Sequence, residues 1–213
     1  MVKVEPVRNI PTLSIGAIRC ATLISLLMVA ALGQSHAAFA EGSVNAPSAS
    51  VHIDYLPAIA LVDQTGKSFS LATVKGKPVL VGFIHTSCGG VCQMMTAKMK
   101  SVAQKLEPSF ASKITLVSLT TDPKEDGPAQ LATYAKAQNA EGNGWVFLTG
   151  KPANVEQVLK LYGVAADTSE DSMTHVFELR LIGPDGHELH RYAGSDIKAA
   201  TIATDVKSVL AHK

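Results

Sequence analysis

Pro78-Val79-Leu80-Val81-Gly82-Phe83-Ile84-His85-Thr86-Ser87-Cys88-Gly89-Gly90-Val91-Cys92-Gln93 is the stretch on which the reading of this chain turns. Pro78 to Ile84 is rich in Val, Leu and Ile without alternation, which predicts a central strand covered on both faces. A short loop with two cysteines four apart follows. From Gln93 to Leu106 the apolar period becomes helical, with Met95, Met99, Val102, Ala103 and Leu106 sharing one face, and Pro108 ends the run. Strand, cysteine loop and helix form the start of an α/β unit.

Upstream, Ile59 to Val62, the turn Asp63-Gln64-Thr65-Gly66 and Ser68 to Leu71 predict a β-hairpin. Gly76-Lys77-Pro78 is a turn. Downstream, Ile114 to Leu119 predicts a second buried strand, and Thr121 to Pro128 a polar loop. Pro128 suits the first turn of a helix over Ala129 to Ala137. Trp145 to Leu148 predicts a short strand, and Ala153 to Tyr162 a helix stopped by Gly163. Val176 to Ile182 and Glu188 to Tyr192 flank Gly183-Pro184-Asp185-Gly186, a hairpin turn. Asp196 to Leu210 predicts a closing helix. The expected class is α/β, a central mixed sheet with helices on both faces, an N-terminal hairpin and a second hairpin near the C-terminus. There is no internal repeat.

The 213 residues, 46% hydrophobic, suffice for one domain with a sizeable core plus extras. A formal charge of +1, with no basic patch interleaved with aromatics, gives no footprint for nucleic acid. The extras lie at the N-terminus. Lys3, Arg8 and Arg19 precede an uncharged apolar run, Cys20 to Gly33. Ala38-Phe39-Ala40 then offers small residues for cleavage before Glu41, with Ser35-His36-Ala37 as a second option. Residues 1–40 therefore read as a secretory signal peptide, with an uncleaved N-terminal anchor as the alternative. The run is shorter than the roughly 20 residues of a spanning helix. Ala17-Ile18-Arg19 puts a charge before Cys20 where a lipoprotein cysteine would follow a small residue. Residues 41–56 read as a flexible lead-in, and 57–213 as the folded domain. Removing the leader takes three of the 19 basic residues and one of the 18 acidic, leaving −1. It also removes Cys20, so Cys88 and Cys92 become the only thiols, in an exported (periplasmic) setting where a close pair can be oxidised stably.

Read from the residues alone, the pair allows a structural disulfide, two buried thiols, a redox couple or part of a metal site. At the start of a helix, residues four apart lie on one face, within reach of each other and of one shared ion. The helix N-terminus stabilises thiolate, at Cys88 above all, and Gly89 and Gly90 give the loop mobility. Two thiolates select copper or zinc and are too few for a closed structural zinc site. A third ligand would come from a distant histidine: His85, His175, His187, His190, His52 or His212. His187 and His190 follow a hairpin turn and read as exposed. His52 lies in the lead-in and His212 in the tail. His175 opens a strand after a polar loop, Asp167 to Thr174, that could fold over the cysteine helix. It reads equally as a solvent-facing residue at a strand end. Met94, Met95 and Met99 read as core packing at helical spacing rather than as thioether ligands.

Several separated motifs, in order, resemble the Sco (SenC) family of thioredoxin-fold copper proteins, from about Pro57 to the C-terminus. They are the hairpin with Gly66, Gly76-Lys77-Pro78 with its strand, Phe83 to Cys92, Ser118 to Pro128, Leu148-Thr149-Gly150, and His175 followed by Leu181 to Gly186. The resemblance implies a thioredoxin-like fold and a copper ion held by Cys88, Cys92 and His175. It implies delivery of that copper to the copper centre of a respiratory oxidase subunit or another copper protein, by a carrier rather than an enzyme. In some members the cysteines instead reduce those of a partner, which would make Cys88 and Cys92 a catalytic redox pair. A carboxylate of the Asp122 loop is expected near the site. A monomer is expected, with membrane contact only through an N-terminal anchor in the inner membrane. The chain departs from the family pattern at Gly89 and Gln93, where the family usually has proline after each cysteine. It departs again at Thr174, where the family usually has Asp, and at His85, where Tyr is frequent.

Overall fold

The computed structural model describes residues 53–106, 108, 112–142, 144–164 and 177–212. All of these lie in one compact unit, Ala49–Lys213. In chain order the elements are β1 (Leu61–Asp63), β2 (Ser68–Phe69), a 3-10 turn (Leu71–Val74), β3 (Val79–Ile84), α1 (Val91–Lys105), β4 (Thr115–Thr120), α2 (Pro128–Ala137), β5 (Trp145–Thr149), α3 (Pro152–Leu161), β6 (Glu178–Ile182), β7 (Glu188–Ala193) and α4 (Ala199–Ala211). The strands form one seven-stranded sheet in the order β2-β1-β5-β4-β3-β6-β7. β3 pairs in parallel with β4, and β4 with β5, across the α1 and α2 crossovers. β1 joins β5, and β6 joins β3, antiparallel. The mixed sheet expected from the sequence is therefore present, with β3 and β4 in its interior.

Every residue of β3 and of β4 is buried, as an unbroken apolar run predicts for a strand covered on both faces. Successive side chains point to opposite sides, which divides the core in two. Leu80 and Ile84 of β3 pack with Met95, Met99 and Val102 of α1, Leu131 of α2, and Ile202 and Val206 of α4. Val79, Val81 and Phe83 pack on the other side with Val155, Val158 and Leu159 of α3 and with Leu56 and Leu71. Helices cover both faces, three on one side and one on the other. α1 lies so close to β3 that a Cβ on Gly82 would sit 2.8 Å from Met99 Sδ and 2.9 Å from Leu179 Cδ2. Gly82 is what lets this helix approach.

Three local expectations change. Leu71 belongs to a 3-10 turn, N-capped by Ser70, instead of to the second hairpin strand. Met94 is 44% exposed and belongs to no core. Consecutive helical residues are about 100° apart, so Met94 cannot share the buried face of Met95 and Met99. The helix starts at Val91, with Gly90 as its N-cap, so Cys88 precedes α1 and does not share a helix face with Cys92. The borders of the sheet are modest. β2 has two residues. β7 is mostly exposed and carries Glu188, His190 and Arg191, with a register shift against β6 at Leu181/Ile182.

Candidate functional site

The site lies where β3 ends. Chain direction at a strand C-terminus in a parallel pair places the following loop beside that of the neighbouring strand, so the cysteine loop meets the Thr121 to Gly127 loop after β4. Backbone bonds join them: the Thr121 N–H donates to the Ile84 carbonyl at 2.8 Å. Asp126, fully buried, completes the junction. Its carboxyl accepts hydrogen bonds from the Thr86 N–H (3.2 Å to Oδ2), the Thr86 hydroxyl and the Thr120 hydroxyl. Asp122, on the same loop, turns back over the site, its Oδ2 3.5 Å from His85 Nε2. The same imidazole nitrogen lies 2.9 Å from Ser87 Oγ. A carboxylate of this loop, Asp122, thus faces His85, whose imidazole lies between Ser87 and Asp122.

Both cysteines are reduced and buried, Cys88 at 8% and Cys92 at 5% exposure. Their environments differ. Burial by itself pushes the Cys88 thiol up. The N–H groups of Cys92, Gly90 and Val91 and the Cys92 thiol donate to its sulfur, outweigh burial, and hold Cys88 below the ordinary thiol value. Gly90 offers no side-chain cap to α1, and the Cys88 sulfur takes that place, meeting the helix end-on where its free N–H groups converge. Cys92 is pushed up to about 12, by burial first, then by donating to Cys88, with the charges of Cys88 and Asp126 adding to it against a lowering backbone hydrogen bond from His85. One sulfur is thus prepared to be a thiolate and its neighbour to keep its proton.

Cys92 is itself held from below. Its carbonyl accepts from the Thr96 hydroxyl at 2.9 Å, and that hydroxyl lies 2.9 Å from the Tyr134 hydroxyl of α2. Burial pushes Tyr134 up to about 12, so it stays neutral. Of the other predicted ligands, His175 and His52 lie outside the described residues. His187 and His190 are exposed on the β6–β7 hairpin, near Ile182 and Leu181, which pair with Val79 and Leu80 at the opposite end of β3. His212 is exposed at the end of α4. Among the described residues no group of three or more His, Cys, Asp or Glu is arranged to hold a metal. The roles of Asp126 and of Thr86, Thr120 and Thr96 have no periodic signature in the sequence. An Asp in a polar Pro/Gly loop reads as exposed.

An α/β domain with a reduced, unequally tuned dithiol, one sulfur in the loop after β3 and the other in the first turn of α1, defines a thioredoxin-like thiol protein. The chain belongs to the SCO1/SenC family, whose model matches residues 50–211. The SCO1 protein homolog of Bacillus subtilis (strain 168) is 34% identical over 151 residues, 68% of this chain and 78% of that protein. A Stutzerimonas stutzeri protein named as copper-binding is 33% identical over 136 residues, 62% of this chain and 65% of its own length. Among solved structures, BsSco, described with a disulfide switch and as a member of the Sco family of cytochrome c oxidase assembly proteins, superposes with a TM-score of 0.64. It is 29% identical, covering 76% of this chain and 96% of that one. The thioredoxin-like fold expected from the motifs is therefore the fold of this chain. No helix among the described residues is long and apolar enough to cross a membrane. The segment read as a leader lies outside them.

Proposed function

We propose that this chain is an exported copper metallochaperone that holds copper through Cys88, Cys92 and His175 and passes it to a copper centre of a respiratory oxidase, with the oxidation state of the cysteine pair gating the transfer. The observation that carries the reading is the hydrogen-bonded, reduced pair at the N-terminus of α1. Membership of the SCO1/SenC family and the copper-binding description of the Stutzerimonas relative support the choice of cargo. The donor chemistry fits: two adjacent sulfurs are soft ligands, suited to copper and insufficient to close a structural site. His175 stands three residues before Glu178 in the sequence, where β6 begins. β6 begins beside the end of β3 from which the cysteine loop leaves.

The residues act in sequence. Cys88 is the sulfur ready to bind, because the helix N–H groups already stabilise its charge. Cys92 must give up a proton held at about 12, which costs about 7 kcal/mol at pH 7. Loading therefore releases protons and weakens as pH falls. Two-electron oxidation of the pair by an external disulfide or other oxidant joins the two sulfurs, releases their protons, leaves no thiolate to bind the cargo and so closes the site. The supporting test is copper titration of the protein, with Cys88→Ala and His175→Ala beside it. Tight stoichiometric copper that survives both substitutions sinks the assignment.

The unequal thiols favour one second reading, a thiol-disulfide oxidoreductase. The Cys88 thiolate attacks a partner disulfide and expels one partner thiolate. Cys92 then loses its proton, attacks Cys88 and expels the first-attacked partner sulfur. The partner gains two electrons, and a Cys88–Cys92 disulfide remains. Weak copper binding with efficient reduction of an oxidised partner selects this reading. In both, residues 1–40 serve as the leader or an inner-membrane anchor, 41–56 as the lead-in and 57–213 as the working domain. N-terminal sequencing of the exported protein tests that division.

A further inference from the structure

A cleft runs between α1 and α2 beside the cysteine loop. Its polar lining is Thr86 of that loop, Gln93 of α1, Gln130, Thr133 and Tyr134 of α2, and Gln138 at the α2 C-cap. From Gln130 to Gln138 the wall is about 12 Å of helix, the length of about four extended residues. At one end the Lys100 ammonium donates to the Gln138 carbonyl at 3.4 Å and bridges the two helices. At the other end lie Thr86, two residues before Cys88, and Gln93, the residue after Cys92. Tyr134, buried, forms the floor, and its hydroxyl is tied through the Thr96 hydroxyl to the Cys92 carbonyl.

The lining has a definite chemistry. No Asp, Glu, Lys or Arg lines the cleft, so a phosphate, a nucleic acid or a charged segment would enter it without a counter-charge, at a cost in hydration. The side chains of Gln93, Gln130 and Gln138 make no hydrogen bond among the described residues. Each amide presents two donors and an acceptor carbonyl, and an extended main chain presents one N–H and one C=O per residue. We propose that the cleft docks an uncharged, extended segment of the partner protein, its main chain hydrogen-bonded to Gln93, Gln130 and Gln138, so that a cysteine carried by that segment meets Cys88 at the open end. This rests on the reading of Cys88 and Cys92 as a pair that meets a protein partner. The cleft sets how the partner's chain lies, and the sulfurs set what is exchanged.

The test is thiol exchange with two probes, each a cysteine in disulfide linkage to the same leaving group, thionitrobenzoate. One is N-acetylcysteine methylamide, too short to enter the cleft. The other is an uncharged peptide of about six residues with blocked ends and the same cysteine at one end. The Cys88 thiolate attacks the probe's cysteine sulfur and expels the thionitrobenzoate anion, whose colour reads the rate. Cys92 then loses its proton, attacks Cys88 and expels the probe thiolate, so the pair gives two electrons to the probe disulfide. The peptide is expected to react about tenfold faster than the short probe, the worth of two ordinary hydrogen bonds. Thr133→Trp, which fills the cleft from an exposed position, is expected to bring the peptide down to the short probe's rate and leave the short probe unchanged. Equal rates for the two probes in the wild type overturn the proposal and leave the thiolate reading standing. A peptide that keeps its advantage in Thr133→Trp, or a variant that slows both probes alike, overturns it as well. If neither probe reacts, the reading of Cys88 as the attacking sulfur fails and the proposal falls with it. Should Thr133→Trp fail to fold, Gln130→Ala, also at an exposed position, takes its place: an advantage reduced about threefold supports the proposal, and an undiminished one overturns it.

Discussion

Replacing Asp126 by Ala is expected to cost more than any other single change at the site. The carboxyl is fully buried and takes hydrogen bonds from the Thr86 N–H, the Thr86 hydroxyl and the Thr120 hydroxyl. A buried donor left without a partner costs about 1–3 kcal/mol. The two hydroxyls can rotate, and the Thr120 oxygen already accepts from the Asp122 N–H at 2.9 Å. The Thr86 N–H is fixed by the chain and bears the full penalty. The sum is about 3–5 kcal/mol. Urea unfolding followed by far-UV circular dichroism reads this as a fall in midpoint of about 2 M at an unchanged slope. Asp126→Asn keeps one carbonyl oxygen for Thr86, and the Thr120 hydroxyl can accept from the new amide, so its cost is about 1–2 kcal/mol. Both variants remove a negative charge that raises Cys92, so alkylation of Cys92 quickens in each. An Ala variant within 1 kcal/mol of wild type, or an Asn variant less stable than the Ala one, refutes the account of this junction.

With iodoacetamide at pH 7, Cys88 is expected to be modified before Cys92, its rate rising with pH and half-maximal below the ordinary thiol value; mass spectrometry reads the order, and labelling of Cys92 first contradicts the assignment. Cys92→Ala removes one of the donors to the Cys88 sulfur, so the inflection moves to higher pH. Gly82→Ala drives a Cβ against Met99 and Leu179 and is expected to cost about 1–3 kcal/mol in thermal unfolding, where a neutral result would mean that α1 can lift off β3 freely. Tyr192→Phe deletes the 2.7 Å hydrogen bond to Asp205 between β7 and α4, an expected loss of about 0.5–1.5 kcal/mol by the same measurement.

The parts of the fold that could be read from residue order were those with strong periodicity. The interior strands β3 and β4 are unbroken apolar runs, α1 has a clear helical face, α2 announces its start with Pro128 and α3 its end with Gly163. Short elements at the margin were less legible. Leu71 is apolar and follows a strand, yet Ser70 turns the chain into a 3-10 cap. The cysteines were legible as a pair, but their spacing alone implied a shared helix face. The true arrangement depends on where α1 begins, and two glycines before Val91 leave that start undetermined by propensity. Asp126 and Arg180 were hidden for one common reason. Charged residues read as surface, and their burial depends on partners far along the chain: Thr86, 40 residues before Asp126, and Tyr162, 18 before Arg180.

The two borders of the sheet bear on how this protein can be recognised. Proteins often bind by adding a strand to an open sheet edge, gaining a row of main-chain hydrogen bonds. Here one edge offers two residues, and the other is a charged ribbon whose register is broken, both ordinary means of refusing a foreign strand. The loops that follow β3 and β4, where the cysteines lie, offer side chains and loop backbone instead of a strand edge. Such a contact is small and soon broken, in keeping with the transfer proposed above for this chain.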